Sequence, residues 1–186
     1  MMHCAFLVGP RMYLRPLEEG DLTDEYRSWL NDPDVTRYMR TGKWPVTPAS
    51  LRRYWERFQT STTDIVFAMV VQENDRFIGT VALNNIDWIY RTADTGIMIG
   101  NKEFWGKGYA FEAWSLLMEY AFTGLDLRKV VAGAAPGNAA SVRALEKLGF
   151  QREGVLRQHA LVDGTYIDSF LFGLLRNDFR EAQSRK

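Results

Sequence analysis

The chain has 186 residues, 46% of them hydrophobic, which suits one domain with a sizeable core and argues against disorder. Lys plus Arg and Asp plus Glu number 23 each, so no net field points to nucleic acid or to an acidic membrane. The one cysteine, Cys4, permits no internal disulfide and fits the reducing cytoplasm, and the sequence offers no signal-peptide pattern and no stretch long enough to span a bilayer.

Arg11 to Arg15 alternates like a strand before Pro16. Asp21 to Leu30 reads as a helix capped by Asp21 and stopped by Asn31-Asp-Pro33, and Val35 to Arg40 as a short helical turn. Thr47-Pro48 supplies a cap and a first-turn proline for a helix to about Thr60. Ile65–Val71 and Phe77–Asn84 are strands joined by the polar turn Glu73-Asn-Asp-Arg76. Thr95–Ile99 is the fourth predicted strand, and a helix follows to about Tyr120. Val130–Ala134 is the fifth strand, followed by Asn138 as N-cap, the helix Val142–Leu148, and Gly149 as its C-terminal stop. Gln151–Leu161 and Tyr166–Leu175 form a hairpin around Asp163-Gly164. The order β-α-α-β-β-β-α-β-α-β-β has no repeat and no linker. It predicts an α/β (α+β mixed) chain built as a single domain, with one mixed sheet and helices packed on it.

Two segments carry chemistry. Thr95-Gly-Ile-Met-Ile-Gly100, then Trp105-Gly-Lys-Gly-Tyr-Ala110, read as strand, glycine-bearing turn and helix start. Uncapped first-turn N–H groups and the helix dipole attract an anion, and Gly106 and Gly108 let a phosphate approach the main chain. The alternative is an ordinary turn whose glycines serve geometry alone. The second segment is Pro136-Gly-Asn138-Ala-Ala-Ser141 with Glu146-Lys-Leu-Gly-Phe150.

Together these segments resemble the GNAT family of acyl-CoA-dependent N-acetyltransferases, in its RimJ/RimL-like branch, which is related to the spermidine acetyltransferases. The resemblance runs from about Arg11 to Phe179 and is specific in the second half. It implies a sheet whose fourth and fifth strands splay apart, with the cofactor's pantetheine arm in the gap. It implies acetyl-CoA as co-substrate with no metal, held by the main chain of Ile97, Met98 and Ile99, by the turn Trp105, Gly106, Lys107, Gly108, Tyr109 and Ala110, and by Asn138 and Ser141. Trp105 stands where Gln or Arg is usual, and Lys107 either faces the pyrophosphate or is solvated surface.

Acyl transfer to an amine also needs a base and a stabiliser for the leaving thiolate. Asp94, eleven residues before Trp105, occupies the position of the family's acidic general base. Its other reading is a structural carboxylate, and Asp87 and His159 are runners-up. Many family members carry a tyrosine seven residues after the asparagine, where this chain has Leu145. Ser141 is the thiolate donor that the branch offers instead, or a helix cap. The acceptor region is expected around Trp29, Tyr38, Asn84 and Asp87, with Arg37, Trp44, Asn85, Trp88 and Tyr90 nearby. Expected partners are a small-molecule or peptide amine and, left open, a second copy of the chain, with no nucleic acid and no membrane. The expected reaction is direct acetyl transfer to a primary amine in a ternary complex. Its rivals are an inactive CoA-binding regulatory module and a generic nucleotide binder, though the latter lacks a Walker pattern and a dinucleotide fingerprint.

Overall fold

The structure is a computed structural model describing residues 5–184, so His3 and Cys4 lie outside it. One eight-stranded sheet runs in the order β1-β2-β3-β4-β5-β6-β8-β7. Its strands are β1 (Leu7–Val8), β2 (Met12–Pro16), β3 (Ile65–Val71), β4 (Arg76–Asp87), β5 (Thr92–Ile99), β6 (Lys129–Ala134), β7 (Gln151–Val162) and β8 (Thr165–Leu175). The helices are α1 (Asp24–Asn31), α2 (Pro33–Thr36), α3 (Pro48–Thr60), α4 (Tyr109–Glu119), α5 (Ala139–Leu148) and α6 (Arg176–Ser184). The predicted mixed sheet is therefore present, with an additional edge strand, β1, and a closing helix, α6. The predicted fourth and fifth strands correspond to β5 and β6.

The sheet carries a hydrophobic core on each face. Leu83, Ala93, Val130, Ala132 and Ala134 pack with Trp114, Leu117, Leu145, Leu148 and Phe179 in one core, under α4, α5 and α6. Ala82 and Met98 pack with Tyr26, Trp29 and Leu51 in a second core, under α1 and α3. Successive strand residues point to opposite faces. On β5 this turns Ala93, Thr95 and Ile97 toward α4, and Asp94, Gly96 and Met98 toward α1 and α3.

One predicted cap is corrected. Thr23, not Asp21, caps α1, its side chain accepting from the Tyr26 N–H at 3.2 Å. Asp21 sits in a single 3-10 turn, where both its oxygens take the Arg15 guanidinium at 2.6 Å. The Arg15 and Asp21 side chains are only 11% and 7% exposed, so the carboxylate answers a buried cation before it can serve a helix end. Helix α5 begins at Ala139, three residues before the expected Val142, because Asn138 caps it directly and accepts from the Ser141 N–H at 3.3 Å. Gly149 ends the helix at φ +99°, as its position predicts.

Candidate active site

Strands β5 and β6 are parallel neighbours for three residue pairs only: Thr92 with Lys129, Ala93 with Val130, and Asp94 with Val131. Beyond Asp94 the ladder ends, although β5 continues to Ile99 and β6 to Ala134. Main-chain groups of both strands then face a gap with no cross-strand partner, and such groups call for one. β5 remains firm because β4 pairs with it continuously from Asn84–Asp94 to Gly79–Ile99, with a register shift before the last pair, Asp87–Thr92. The Thr95 hydroxyl strengthens that side by donating to the Ala82 carbonyl at 2.8 Å and accepting from the Trp114 indole at 3.2 Å.

The open end of the gap leads to the glycine turn. Gly106 and Gly108 have φ of +70° and +84°, in the region that side chains disfavour. Gly108 is the N-cap of α4 and offers no side chain to the first-turn N–H groups. Uncapped N–H groups at a helix start suit a phosphate, so the residues present fit the pyrophosphate of a coenzyme A. The Trp105 indole donates to the Ile99 carbonyl at 2.8 Å and ties the turn to the end of β5. That contact occupies a carbonyl expected to face the cofactor. The Lys107 side chain lies over the Phe104 ring, with Nζ 5.7 Å from its centroid.

Sequence reading missed the brace behind this turn. Arg11, at the entry to β2, donates from Nε to Glu112 Oε2 at 2.8 Å and from a terminal nitrogen to the Lys107 carbonyl at 2.9 Å. Its guanidinium stacks on Tyr109, 4.6 Å from the ring centroid. Glu112 Oε1 accepts the N–H groups of Arg11 and Met12 at 2.8 and 3.2 Å. The one available signal was a carboxylate, Glu112, in the first turn of a mostly apolar helix.

Asp94 occupies the last paired rung, opposite Val131 on β6 and Asn84 on β4. Alternation puts Asn84, Asp94 and Gly96 on the face covered by α1 and α3, together with Val131 and Gly133 of β6. A side chain at Gly96 would meet nothing within 4 Å, and one at Gly133 only the Ser169 hydroxyl at 4.0 Å. The sheet is bare at Gly96 and Gly133, beside a half-buried carboxylate. Burial raises the Asp94 carboxyl above its ordinary value, opposed in part by the Thr95 N–H hydrogen-bonded to it. No ion pair among the described residues includes Asp94.

The other expected site residues are scattered. Trp29 is only 7% exposed and its ring covers Gly100 at the end of β5, so it is a core side chain. Asp87 Oδ1 accepts the N–H groups of Ile89 and Tyr90, both at 2.8 Å, and shapes the β4–β5 turn. His159 is exposed on edge strand β7, three strands from β5 and therefore on the order of 14 Å away. The Trp88 indole donates to the Thr62 carbonyl at 2.8 Å, while Trp44 and Tyr90 are exposed. Tyr38 reaches the β6–α5 turn, where its hydroxyl lies 2.8 Å from where a Cβ on Gly137 would stand. Leu145 is buried in the core at 1% exposure. The Ser141 hydroxyl makes no hydrogen bond among the described residues, because Asn138 does the capping.

Residues 11–151 match the family model described as "Acetyltransferase (GNAT) domain". The chain is 35% identical over 177 residues to the uncharacterized N-acetyltransferase p20 of Bacillus licheniformis, covering 93% of this chain and 97% of that one. It is 34% identical over 164 residues to the spermidine N(1)-acetyltransferase of Vibrio cholerae, covering 87% and 91%. A crystal structure of spermidine N-acetyltransferase from Vibrio cholerae in complex with CoA and spermine superposes with a TM-score of 0.84 at 26% identity, covering 91% and 98%. With the splayed parallel strands and the uncapped glycine turn already in place, these similarities identify the chain as a member of the GNAT family of acetyltransferases, which use acetyl-CoA as co-substrate.

Proposed function

We propose that this chain transfers the acetyl group of acetyl-CoA to a primary amine by direct attack in a ternary complex, with Asp94 receiving the amine's proton. The carrying observation is the Asp94 carboxylate: half-buried, without an ion pair, on the last β5–β6 rung and beside the open floor at Gly96 and Gly133. An aliphatic ammonium has a pKa near about 10, so at neutral pH roughly one molecule in a thousand is a free amine. A carboxylate raised by burial is a stronger base than an exposed one, and it also attracts the ammonium form. The relatives named for spermidine acetylation and, in Bacillus subtilis YdaF, for putative ribosomal N-acetylation have amine acceptors in common.

The remaining roles follow from position. Main-chain groups of Ile97 and Met98 border the gap and hold the amide-bearing arm. The turn from Gly106 to Ala110 takes the pyrophosphate, and Asn138 lines the arm's path. The Ser141 hydroxyl, free of capping duty, donates to the departing thiolate where Leu145 offers nothing. The test is an acceptor screen with thiol detection: diamines, amino sugars, antibiotic amines and peptides with free N-termini, each with acetyl-CoA. Thiol release that requires an amine, with one acetyl group on the product, supports the reading. Binding of CoA without turnover of any amine refutes it in favour of a CoA-binding regulatory module.

A further inference from the structure

Asn84 on β4 stands directly opposite Asp94 on β5, so both side chains leave the same face of the sheet with Cβ atoms about 5 Å apart. The main chain after Asn84 is tied down. The β4–β5 register shifts beyond this rung, Asn85 turns at φ +51° and donates its N–H to Asp64 Oδ1 at 3.2 Å, and the Ile86 N–H donates to the Thr63 carbonyl at 2.7 Å. The Ser61 and Thr63 hydroxyls donate in turn to Asp64 Oδ2, at 3.0 and 3.2 Å. The Asn84 side chain, by contrast, has no hydrogen-bond partner among the described residues. The side-chain oxygens of Asn31, Asn74, Asn101 and Asn138 each accept a main-chain N–H. Asn84 is half-buried, and neither polar atom of its carboxamide is sealed from solvent. An unpaired amide in such a place is unfavourable until something pairs with it. The Asp94 carboxylate opposite takes only the Thr95 N–H and has no side-chain partner. Two unclaimed acceptors thus stand side by side on the rung where the β5–β6 gap opens.

We propose that Asn84 is a second acceptor for the attacking amine, its Oδ1 holding one N–H while Asp94 takes another, and that the two together select primary over secondary amines. The inference rests on the acetyl-transfer reading with Asp94 as base, and adds the substrate class. A primary ammonium carries three N–H bonds. One proton passes to Asp94 and frees the nitrogen lone pair. That pair forms a bond to the thioester carbonyl carbon, the carbon–sulfur bond breaks, and the sulfur leaves with the bonding electrons and gains the second proton as free thiol. The third N–H survives in the amide product, and Asn84 holds it throughout. A secondary ammonium has two N–H bonds, and both are lost in the reaction. It sets a carbon substituent where Asn84 offers an oxygen, which is left unpaired. The held N–H also aims the lone pair, so its loss lowers the rate constant as well as the affinity.

The test compares wild type, Asn84→Leu and Asn84→Gln on a primary alkylamine active in the acceptor screen and on its N-methyl derivative. Leucine is close to asparagine in size and accepts no hydrogen bond; glutamine keeps the carboxamide. Asn84→Leu should lower kcat/KM for the primary amine by about five- to tenfold, the effect of one hydrogen bond, and leave that for the N-methyl amine within about twofold. The primary-to-secondary ratio falls accordingly, and Asn84→Gln should recover part of it. Where the N-methyl amine is not turned over, its inhibition constant against the primary amine takes the place of kcat/KM. Acetyl-CoA affinity should not change. The Asn84→Leu protein should melt no lower than wild type, since the substitution breaks no hydrogen bond of the fold. An unchanged ratio in folded Asn84→Leu overturns the inference. So does an equal loss for both amines, which would make Asn84 a mere support for Asp94, or an Asn84→Gln ratio no higher than that of Asn84→Leu. If Asn84→Leu does not fold, Asn84→Ala replaces it under the same criteria. A wild type that turns over no amine refutes the acetyl-transfer reading and this inference with it. A wild type active on amines whose ratio the variants do not move refutes this inference alone.

Discussion

The Arg11 Nε donates to Glu112 Oε2 at 2.8 Å, joining the entry of β2 to the first turn of α4 across 101 residues. The same guanidinium holds the Lys107 carbonyl at 2.9 Å, so the glycine turn is braced from behind by a residue far from it in sequence. Arg11→Met should weaken acetyl-CoA binding by about three- to tenfold, because a loosened turn must be ordered on binding. Thermal stability should fall as well, because the Glu112 carboxylate, only 10% exposed, loses the cation that holds its Oε2. Titration calorimetry and a melting curve on one preparation check both halves.

Gly108→Val should weaken acetyl-CoA binding by more than about tenfold, roughly 1.4 kcal/mol. At φ +84° a β-branched residue is strained, and its methyl groups would stand where a phosphate must approach the main chain. Unchanged affinity in a folded variant would remove the pyrophosphate from this turn.

For Ser141→Ala, kcat should fall while the melting temperature stays within about a degree of wild type. Asn138 makes the capping bond, so the serine hydroxyl is not needed to hold α5 together. A donor to a developing thiolate acts in the transition state, and its loss appears in kcat more than in KM for acetyl-CoA. An unaltered kcat would end the donor role.

Asp94→Asn should lower kcat at neutral pH and regain part of it at high pH, where the acceptor deprotonates itself. A mutant-to-wild-type rate ratio that stays flat across that range would move the base elsewhere.

The same substitution has an opposite effect on stability. Burial raises the folded-state pKa of Asp94, so the folded chain binds more protons than the unfolded chain between the ordinary and the raised value. Its contribution is most favourable below the ordinary Asp pKa and is lost as pH rises through the folded value. Asp94→Asn should therefore melt higher than wild type at neutral pH, with the difference fading at acid pH. Melting curves of both proteins from acid to neutral pH check the sign.

Local rules made much of this molecule legible from its residues. Thr47-Pro48 starts α3, Asn138 and Gly149 bound α5, and Asp163-Gly164 turns the last hairpin, because caps and tight turns depend on a few neighbouring atoms. The glycine turn before α4 was readable for the same reason. β1 escaped notice because two residues cannot display alternation, and α6 because Phe179 is its one buried side chain. Tertiary structure alone decided which polar groups are free. Asp21 had the right spacing for a cap, yet the buried Arg15 claims it; Asp87 was a plausible base, yet its own turn claims it. Asp94 stood out in sequence only by its spacing to Trp105. It differs because the β5–β6 ladder stops beside it, and a ladder's end is set by how two distant strands diverge. The Arg11 brace and an ion pair between Arg37 and Asp163 are of the same kind: each joins residues a hundred or more apart, where no local pattern links the partners.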